Sequence, residues 1–222
     1  MAVFVLVHGA WHGGWCWHDV AAALRADGHV VYAPTLSGVA ERAALAPHVD
    51  LSTHVDELAR LLAFEDLTEV VLVGHSYAGL VITGAAARSA ARLSRLIYLD
   101  AFLVDPGQSV FDVLRPERRA VYEATIHDGL IPSPPPEVFG ITDPAQAAWV
   151  GERLTPQPLR TWTQPLAGTT AVPASYIRCT EGPLVRSFEG FAARIEGEVV
   201  EIATGHDAMI TTPADLAALL AR

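Results

Sequence analysis

Short apolar runs alternate along the chain with longer segments in which apolar and polar residues mix. The apolar runs are near-continuous, as expected for strands that are covered on both faces. They predict six strands, at Val3–Val7, His29–Ala33, Val70–Val73, Arg95–Leu99, Ala174–Cys179 and Glu198–Ile202. The mixed segments predict helices at Trp17–Ala26, Ser52–Phe64, Ser76–Ala91, Leu184–Ile195 and Thr212–Ala221. This alternation indicates an α/β fold with a mostly parallel open sheet of about six strands and helices on both faces.

The alternation is interrupted between residues 104 and 168, where ten of the chain's 15 prolines lie. Two short helices are expected inside this stretch, at Pro116–Ile126 and Asp143–Arg153. Its tyrosine, phenylalanine and tryptophan side chains would be costly to leave in water. We therefore predict a single domain over 1–222, with a core of 1–103 and 169–222 and a small cap insertion over 104–168. The cap is expected to cover the C-terminal edge of the sheet, where open α/β folds bind ligands.

A nucleophile is predicted where the third strand runs directly into the sequence GHSYAG, which a helix-forming segment follows. Small residues at Gly74 and Ala78 permit a sharp, strained turn that lifts the Ser76 hydroxyl out of the strand edge at a helix N-terminus. The fifth position of this motif is usually glycine, and Ala78 is still small. The alternative reading of Ser76 is a serine that only caps the helix.

A serine hydroxyl needs a base that a third group orients. Of the nine histidines, His206 lies in the loop TGHDAM between the last strand and the last helix, at the same sheet edge as Ser76. A loop histidine that caps the last helix is the alternative. The other histidines are expected in packing positions in or beside strands (His8, His29 and His75) or in polar surface stretches (His48, His54 and His127).

Two carboxylates could serve as the acid of the triad. Asp100 directly follows the strand Arg95–Leu99, and Glu181 follows the strand Ala174–Cys179. Chain order allows both, because each lies between the serine and the histidine. A carboxylate directly after Ile-Tyr-Leu should be partly buried and needs a hydrogen-bond partner, which an imidazole can supply. We therefore favour Asp100 over Glu181, which lies in a turn and could simply be solvated.

The first strand ends in the glycine-rich sequence HGAWHGGW, whose backbone amides can stabilise an oxyanion. The N–H groups of Ala10 and Tyr77 are the expected pair, and Tyr77 directly follows the nucleophile. His12 is a candidate substrate contact, and Trp11, Trp149 and Trp162 are candidate apolar walls. A phosphate-binding loop is disfavoured because Gly-x-Gly-x-x-Gly spacing is absent. No metal site and no cofactor are predicted, since no cysteine pair or carboxylate cluster completes a ligand shell.

Composition narrows the function further. The formal charge is −10, without a basic cluster, so nucleic acid is a poor candidate partner. All 15 basic residues are arginine, which excludes a lysine Schiff base. Two cysteines give no disulfide framework, and no stretch resembles a membrane span or a signal peptide. We expect a cytoplasmic monomer or homodimer without membrane partners.

Together these motifs resemble the α/β-hydrolase fold over nearly the whole chain. The segments Phe4–Trp17, Val71–Gly79 and Gly205–Met209 are similar to the plant methylesterase and hydroxynitrile lyase branch and its bacterial esterase relatives. The resemblance implies Ser76 as nucleophile, His206 as base, and Ala10 and Tyr77 as oxyanion donors.

The acid position departs from that branch. In the family, the acid usually follows the strand that here is Ala174–Cys179, where this chain has Glu181. The stretch Tyr98–Ala101 instead resembles the acid position of haloalkane dehalogenases, which implies Asp100. Hydroxynitrile lyases of the branch use a lysine and tend to lack the glycine found here as Gly9, so the resemblance favours ester hydrolysis.

The sequence thus predicts a serine hydrolase that cleaves a small or aromatic hydrophobic carboxylic ester through an acyl-enzyme on Ser76. A thioesterase or lactonase would use the same triad. A ligand-binding protein without catalysis, or a lyase or cyclase on the same scaffold, are the alternatives from other classes.

Overall fold

All six predicted strands form, and they lie side by side in one sheet. The computed structural model describes residues 1–222. Its strands are β1 (Val3–Val7), β2 (Val30–Tyr32), β3 (Val70–His75), β4 (Leu93–Leu99), β5 (Leu130–Ile131), β6 (Gln157–Pro158), β7 (Ala174–Cys179) and β8 (Val199–Ile202). The main sheet has the order β2-β1-β3-β4-β7-β8, and every neighbouring pair is parallel. The predicted fold class is therefore confirmed.

Ten α-helices accompany the strands. They are α1 (His18–Ala26), α2 (Leu51–Phe64), α3 (Ala78–Ser89), α4 (Val110–Val113), α5 (Pro116–Thr125), α6 (Pro144–Gly151), α7 (Leu159–Thr163), α8 (Val185–Ala192), α9 (Ala208–Thr211) and α10 (Pro213–Leu220). The seven helices expected from the sequence are all present. The sequence analysis missed α4, α7 and α9, which have only four or five residues and are too short to show a helical period. No helix has the length and apolar character that a membrane crossing needs.

The sheet is covered on both faces because alternate residues of each strand point to opposite sides. In β1, Val5 and Val7 belong to one core cluster, and Phe4 and Leu6 belong to another. Helices α2, α3 and α8 contribute to the first cluster, and α1, α9 and α10 contribute to the second. This double burial explains why the strands read as continuous apolar runs.

The segment 104–168 contains α4 to α7 and the antiparallel pair of β5 and β6. Its aromatic side chains pack on Trp11, in the loop that follows β1. The ring centroids of Tyr122, Phe139 and Trp162 lie 5.8, 5.8 and 5.2 Å from that of Trp11. This segment therefore contacts the C-terminal edge of the main sheet.

Candidate active site

A strained turn carries Ser76 from β3 to α3. Its φ of 55° lies in the left-handed region, which costs a residue with a side chain about 1–3 kcal/mol. A Cβ at Gly74 would lie 2.8 Å from the Ala78 carbonyl oxygen, so the turn requires glycine there. The Ser76 N–H donates to the Leu99 carbonyl at 3.1 Å and thereby ties the turn to the end of β4. The motif therefore forms the strand-to-helix turn that the sequence predicts.

His206 and Asp100 form a buried hydrogen-bonded pair. His206 lies in the loop between β8 and α9, and Asp100 directly follows β4. The His206 Nδ1–H donates to Asp100 Oδ2 at 2.6 Å, and the two residues are only 3% and 1% exposed. Asp100 Oδ1 accepts the Cys179 N–H at 3.3 Å. Glu181 is exposed, so the structure places Asp100 against the histidine.

Ser76 and His206 line the same cavity, whose volume is about 30 Å³. No hydrogen bond joins the Ser76 hydroxyl to the imidazole in this structure. Such bonds are often long in a free enzyme and tighten only when substrate binds. The Ser76 hydroxyl and the imidazole therefore border one cavity, and the Asp100 carboxylate is bonded to the Nδ1 side of the ring, an arrangement that suits nucleophilic catalysis.

Two backbone amides, each next in sequence to a residue that lines the cavity (Trp11 or Ser76), have no acceptor within the protein. Ala10 and Tyr77 are both buried, and neither N–H donates a hydrogen bond to another protein group. Buried amides without a partner are rare, because an unpaired N–H costs free energy. Tyr77 also directly precedes α3, whose N-terminus favours negative charge. These amides are therefore suited to donate hydrogen bonds to an oxyanion.

The cavity is mostly apolar, and two of the four predicted substrate contacts line it. Trp11 and Trp162 are part of its wall, and Arg118 is the only arginine among the lining residues. Besides the residues already named, the lining comprises Phe102, Leu114, Tyr122, Phe139, Leu184, Ser187 and Phe188. The sequence analysis did not single out Phe188, whose ring stacks on His206 at a centroid distance of 4.6 Å.

Trp149 and His12 lie outside this cavity, which corrects their predicted placement. Trp149 is 39% exposed on α6, where its ring packs against Trp15 and under the Arg153 guanidinium. Its helix presents it to the outer surface, and the sequence period of so short a helix did not reveal which face is outward.

His12 is buried between two loops and makes two hydrogen bonds. Its Nδ1–H donates to the Ala10 carbonyl at 2.8 Å, and its Nε2 lies 3.0 Å from Asp207 Oδ2. Burial lowers the pKa of His12, but the Asp207 carboxylate more than offsets this and leaves the pKa above its ordinary value. His12 therefore links the glycine-rich loop that follows β1 (residues 8–15, called the oxyanion loop below) to Asp207, the residue that follows His206.

His54 was expected at the surface and is instead fully buried. Its Nε2–H donates to the Ser37 carbonyl at 2.8 Å, and its Nδ1 accepts the Tyr77 hydroxyl at 2.9 Å. Burial lowers the pKa of His54, which keeps the ring neutral. The expectation was wrong because the polar residues that flank His54 in the sequence lie on the outer face of α2, whereas His54 itself lies on the buried face.

One cluster of potential metal ligands lies next to the site. Ligand atoms of His75, His206 and Asp207 come within 4.8 Å of one another. However, His75 Nε2 lies 3.0 Å from the His206 carbonyl, and His206 Nδ1 bonds to Asp100. Because one nitrogen of each ring is already hydrogen-bonded and the other nitrogen of His206 is the one proposed below to act on Ser76, we assign no metal-binding role to the cluster.

The chain is similar in sequence to known esterases. A carbendazim hydrolyzing esterase of Nocardioides sp. (strain SG-4G) is 41% identical to this chain over an alignment of 240 residues, gaps included. The alignment covers 100% of this chain and 99% of that protein. Methylesterase 1 of Arabidopsis thaliana is 37% identical over 114 residues, which span 50% of this chain and 43% of the methylesterase.

Solved structures of similar fold cover nearly the whole chain. An extracellular alpha/beta-hydrolase from a Paenibacillus species has a TM-score of 0.88 at 24% identity, with 99% of this chain and 98% of that chain covered. A methylesterase from Arabidopsis has a TM-score of 0.80 at 23% identity, with 100% and 98% covered. At these identities the likeness concerns the fold alone.

The predicted resemblance to methylesterases and bacterial esterases is confirmed, and so is the class of carboxylic ester hydrolase. A model of the Alpha/beta hydrolase family matches residues 4–219, which is nearly the whole chain. The chain therefore belongs to the alpha/beta hydrolase family.

Proposed function

We propose that this protein hydrolyses carboxylic esters through an acyl-enzyme on Ser76. The observation that carries the proposal is the 2.6 Å hydrogen bond from His206 Nδ1 to the buried Asp100, behind a cavity that Ser76 and His206 share. The bond leaves Nε2 of His206 without a proton, so that this nitrogen can act as the base.

The reaction proceeds in two halves. His206 Nε2 takes the Ser76 hydroxyl proton while Oγ attacks the ester carbonyl carbon. The resulting oxyanion accepts hydrogen bonds from the N–H groups of Ala10 and Tyr77. Because these donors are already in place, solvent does not need to reorganise around the new charge. As the C–O bond breaks, His206 returns the proton to the leaving alcohol. Water, deprotonated by the same imidazole, then hydrolyses the acyl-enzyme to the acid and restores the serine.

The cavity dimensions support a small group next to the scissile carbonyl. A volume of about 30 Å³ accommodates little more than one or two water molecules. We propose that residues 104–168 form a cap whose displacement admits the remainder of the substrate. Tyr122, Phe139 and Trp162, all from this segment, supply an aromatic wall that suits an apolar or aromatic ester.

The similarity to the carbendazim hydrolyzing esterase supports aromatic methyl carbamates, the class to which carbendazim belongs, as a second group of substrates. Thioesters and lactones would react with the same residues. We further propose a cytoplasmic monomer or homodimer, and the absence of a disulfide between the two buried cysteines is consistent with that location.

A fluorophosphonate probe tests the proposal. We expect it to label wild-type protein on Ser76, and we expect Ser76→Ala to remain folded and unlabelled. Turnover of p-nitrophenyl esters of increasing acyl length, methyl benzoate, carbendazim and a set of lactones then ranks the substrate classes. A folded wild-type protein that neither reacts with the probe nor hydrolyses any ester would favour a ligand-binding protein.

A further inference from the structure

The peptide bond that joins Ala10 to Trp11 is held by hydrogen bonds on both sides. The Ala10 carbonyl accepts the His12 Nδ1–H at 2.8 Å, and the Trp11 N–H donates to Gln157 Oε1 at 3.0 Å. Trp11 has a φ of 66°, which a residue with a side chain adopts only where its surroundings over-determine the conformation. The Trp11 carbonyl also accepts the Thr155 N–H at 3.0 Å, so three hydrogen bonds hold the backbone next to the proposed oxyanion donor Ala10, and Gln157 supplies the only side-chain acceptor among them.

Gln157 belongs to a buried polar network that also reaches Tyr77. Gln157 is 1% exposed, and its Nε2 donates to Thr161 Oγ1 at 2.8 Å. The Thr161 hydroxyl donates to the Pro158 carbonyl and lies beside the Tyr77 hydroxyl. The Tyr77 hydroxyl itself donates to His54 Nδ1. The side chains of Gln157 and Thr161, both from the segment 104–168, thus lie between the Trp11 N–H and the Tyr77 hydroxyl.

We propose that Gln157 is a positioning residue of the oxyanion hole, because it holds the Trp11 amide and thereby sets the direction of the Ala10 N–H. The inference rests on the proposed esterase function. It assigns a second role to the segment 104–168, which covers the cavity and also maintains the geometry of the backbone donors in the core.

The expected effect follows from what the bond restrains. Without an acceptor at position 157, the buried Trp11 N–H is unpaired, and the strained Trp11 backbone can relax. Oxyanion donors must lie about 2.7–3.1 Å from the developing charge, and losing one donor costs about 10²–10³ in kcat. A donor that is displaced but still present should cost less, about 10–100-fold. The ground-state ester does not depend on this contact, so KM should change little.

Gln157→Leu is the test, and the chain offers a matched control. Gln164 lies on the same segment and also makes two side-chain bonds, accepting the Ser52 N–H and donating to the Ser52 hydroxyl, both at 2.8 Å. Its partner lies at the start of α2 and does not touch the oxyanion loop. Gln164→Leu therefore removes the same number of hydrogen bonds from the same segment without affecting the proposed donors.

We expect Gln157→Leu to lower kcat for p-nitrophenyl acetate about 10–100-fold with KM within about twofold, whereas Gln164→Leu keeps kcat within about twofold. Inhibition by a boronic acid, whose oxygen occupies the oxyanion site, should weaken by a similar factor in Gln157→Leu alone. Equal loss of kcat in the two variants, or an unchanged kcat in a folded Gln157→Leu, would overturn the inference.

One further variant keeps the inference testable if Gln157→Leu does not fold. Thr161→Val leaves the acceptor of Gln157 in place but removes the hydroxyl that holds its amide, so it should lower kcat several-fold. If Thr161→Val has the kcat of wild type, the network has no positioning role. Failure of the wild type to hydrolyse esters or react with fluorophosphonate would instead refute the proposed function itself.

Discussion

Asp100→Asn is the most informative single change, because it replaces one oxygen of the carboxylate that bonds to His206 by an NH₂ group of nearly the same size. Asp100 Oδ1 accepts the Cys179 N–H, so the asparagine oxygen should keep that side. The amide NH₂ then faces His206 Nδ1, where Asp100 Oδ2 now accepts at 2.6 Å. To accept from this NH₂, the imidazole must move its proton to Nε2, and it can no longer take the proton of Ser76.

The cost follows from this change of tautomer. The corresponding substitution in a well-studied serine protease lowers kcat by about 10⁴. We expect a loss of about 10³–10⁴ here, which corresponds to about 4–5.5 kcal/mol in the activation barrier. The measurements are kcat for p-nitrophenyl acetate and the rate of labelling by fluorophosphonate, with thermal unfolding as the check of folding.

Glu181→Gln is the matched control, because it makes the same chemical change on an exposed carboxylate. Its kcat should stay within about twofold of wild type, since exposed charges contribute little. A folded Asp100→Asn protein that retains a tenth or more of wild-type kcat would refute the reasoning. So would a larger loss in Glu181→Gln than in Asp100→Asn.

Three further predictions follow from the same geometry. Gly9→Ala should lower kcat about tenfold or more, because the Cβ of the alanine would lie 2.9 Å from His75 Nδ1 and 3.0 Å from Ser76 Cβ. Gly190→Ala is the control, since a Cβ there meets nothing within 4 Å, and it should have the kcat of wild type. Burial lowers the pKa of His8 to about 3, so the unfolded chain binds the extra proton first as the pH falls below about 6.5. Between pH 8 and pH 5 this difference costs about 2 kcal/mol of folding free energy, and the lowered pKa values of the buried His54 and His75 act in the same direction. Urea denaturation should therefore give a lower midpoint at pH 5 than at pH 8, and an equal or higher midpoint at pH 5 would contradict this. The raised pKa of His12 has the opposite sign and offsets part of the loss. Arg118 lines the cavity without an ion-pair partner, so Arg118→Gln should lower kcat/KM several-fold more for an ester bearing a carboxylate than for its neutral analogue, and an equal loss for both would rule out charge recognition.

The chemistry that could be predicted from the sequence depends on local rules. A sharp turn from strand to helix needs small residues around the serine, and Gly74 and Ala78 meet this need on either side of Ser76. His206 was identifiable because loops that follow parallel strands meet at one edge of the sheet. Asp100 was preferred over Glu181 because its apolar neighbours indicated burial, and the structure places it against the imidazole.

The residues that the sequence analysis misplaced or missed depend on side-chain direction in tertiary packing. His54 lies among polar residues in the sequence, yet helix α2 turns it toward Tyr77. Trp149 looked like a wall of the site, but α6 directs it outward. Gln157 carries no local signal, because its partner Trp11 is brought to it only when the segment 104–168 packs on the core.

The amino-acid sequence by itself determined the parallel sheet, the strand-to-helix turn that carries Ser76 at its edge, and the loop that brings His206 to the same edge. These follow from hydrophobic periodicity and from turn sterics, which act over a few residues. Only the tertiary structure decided which histidines are buried, which aromatic rings enclose the cavity, and which side chain holds the Trp11 amide. Some of those contacts join residues that are more than a hundred positions apart, as Trp11 and Gln157 are, and no local pattern specifies them.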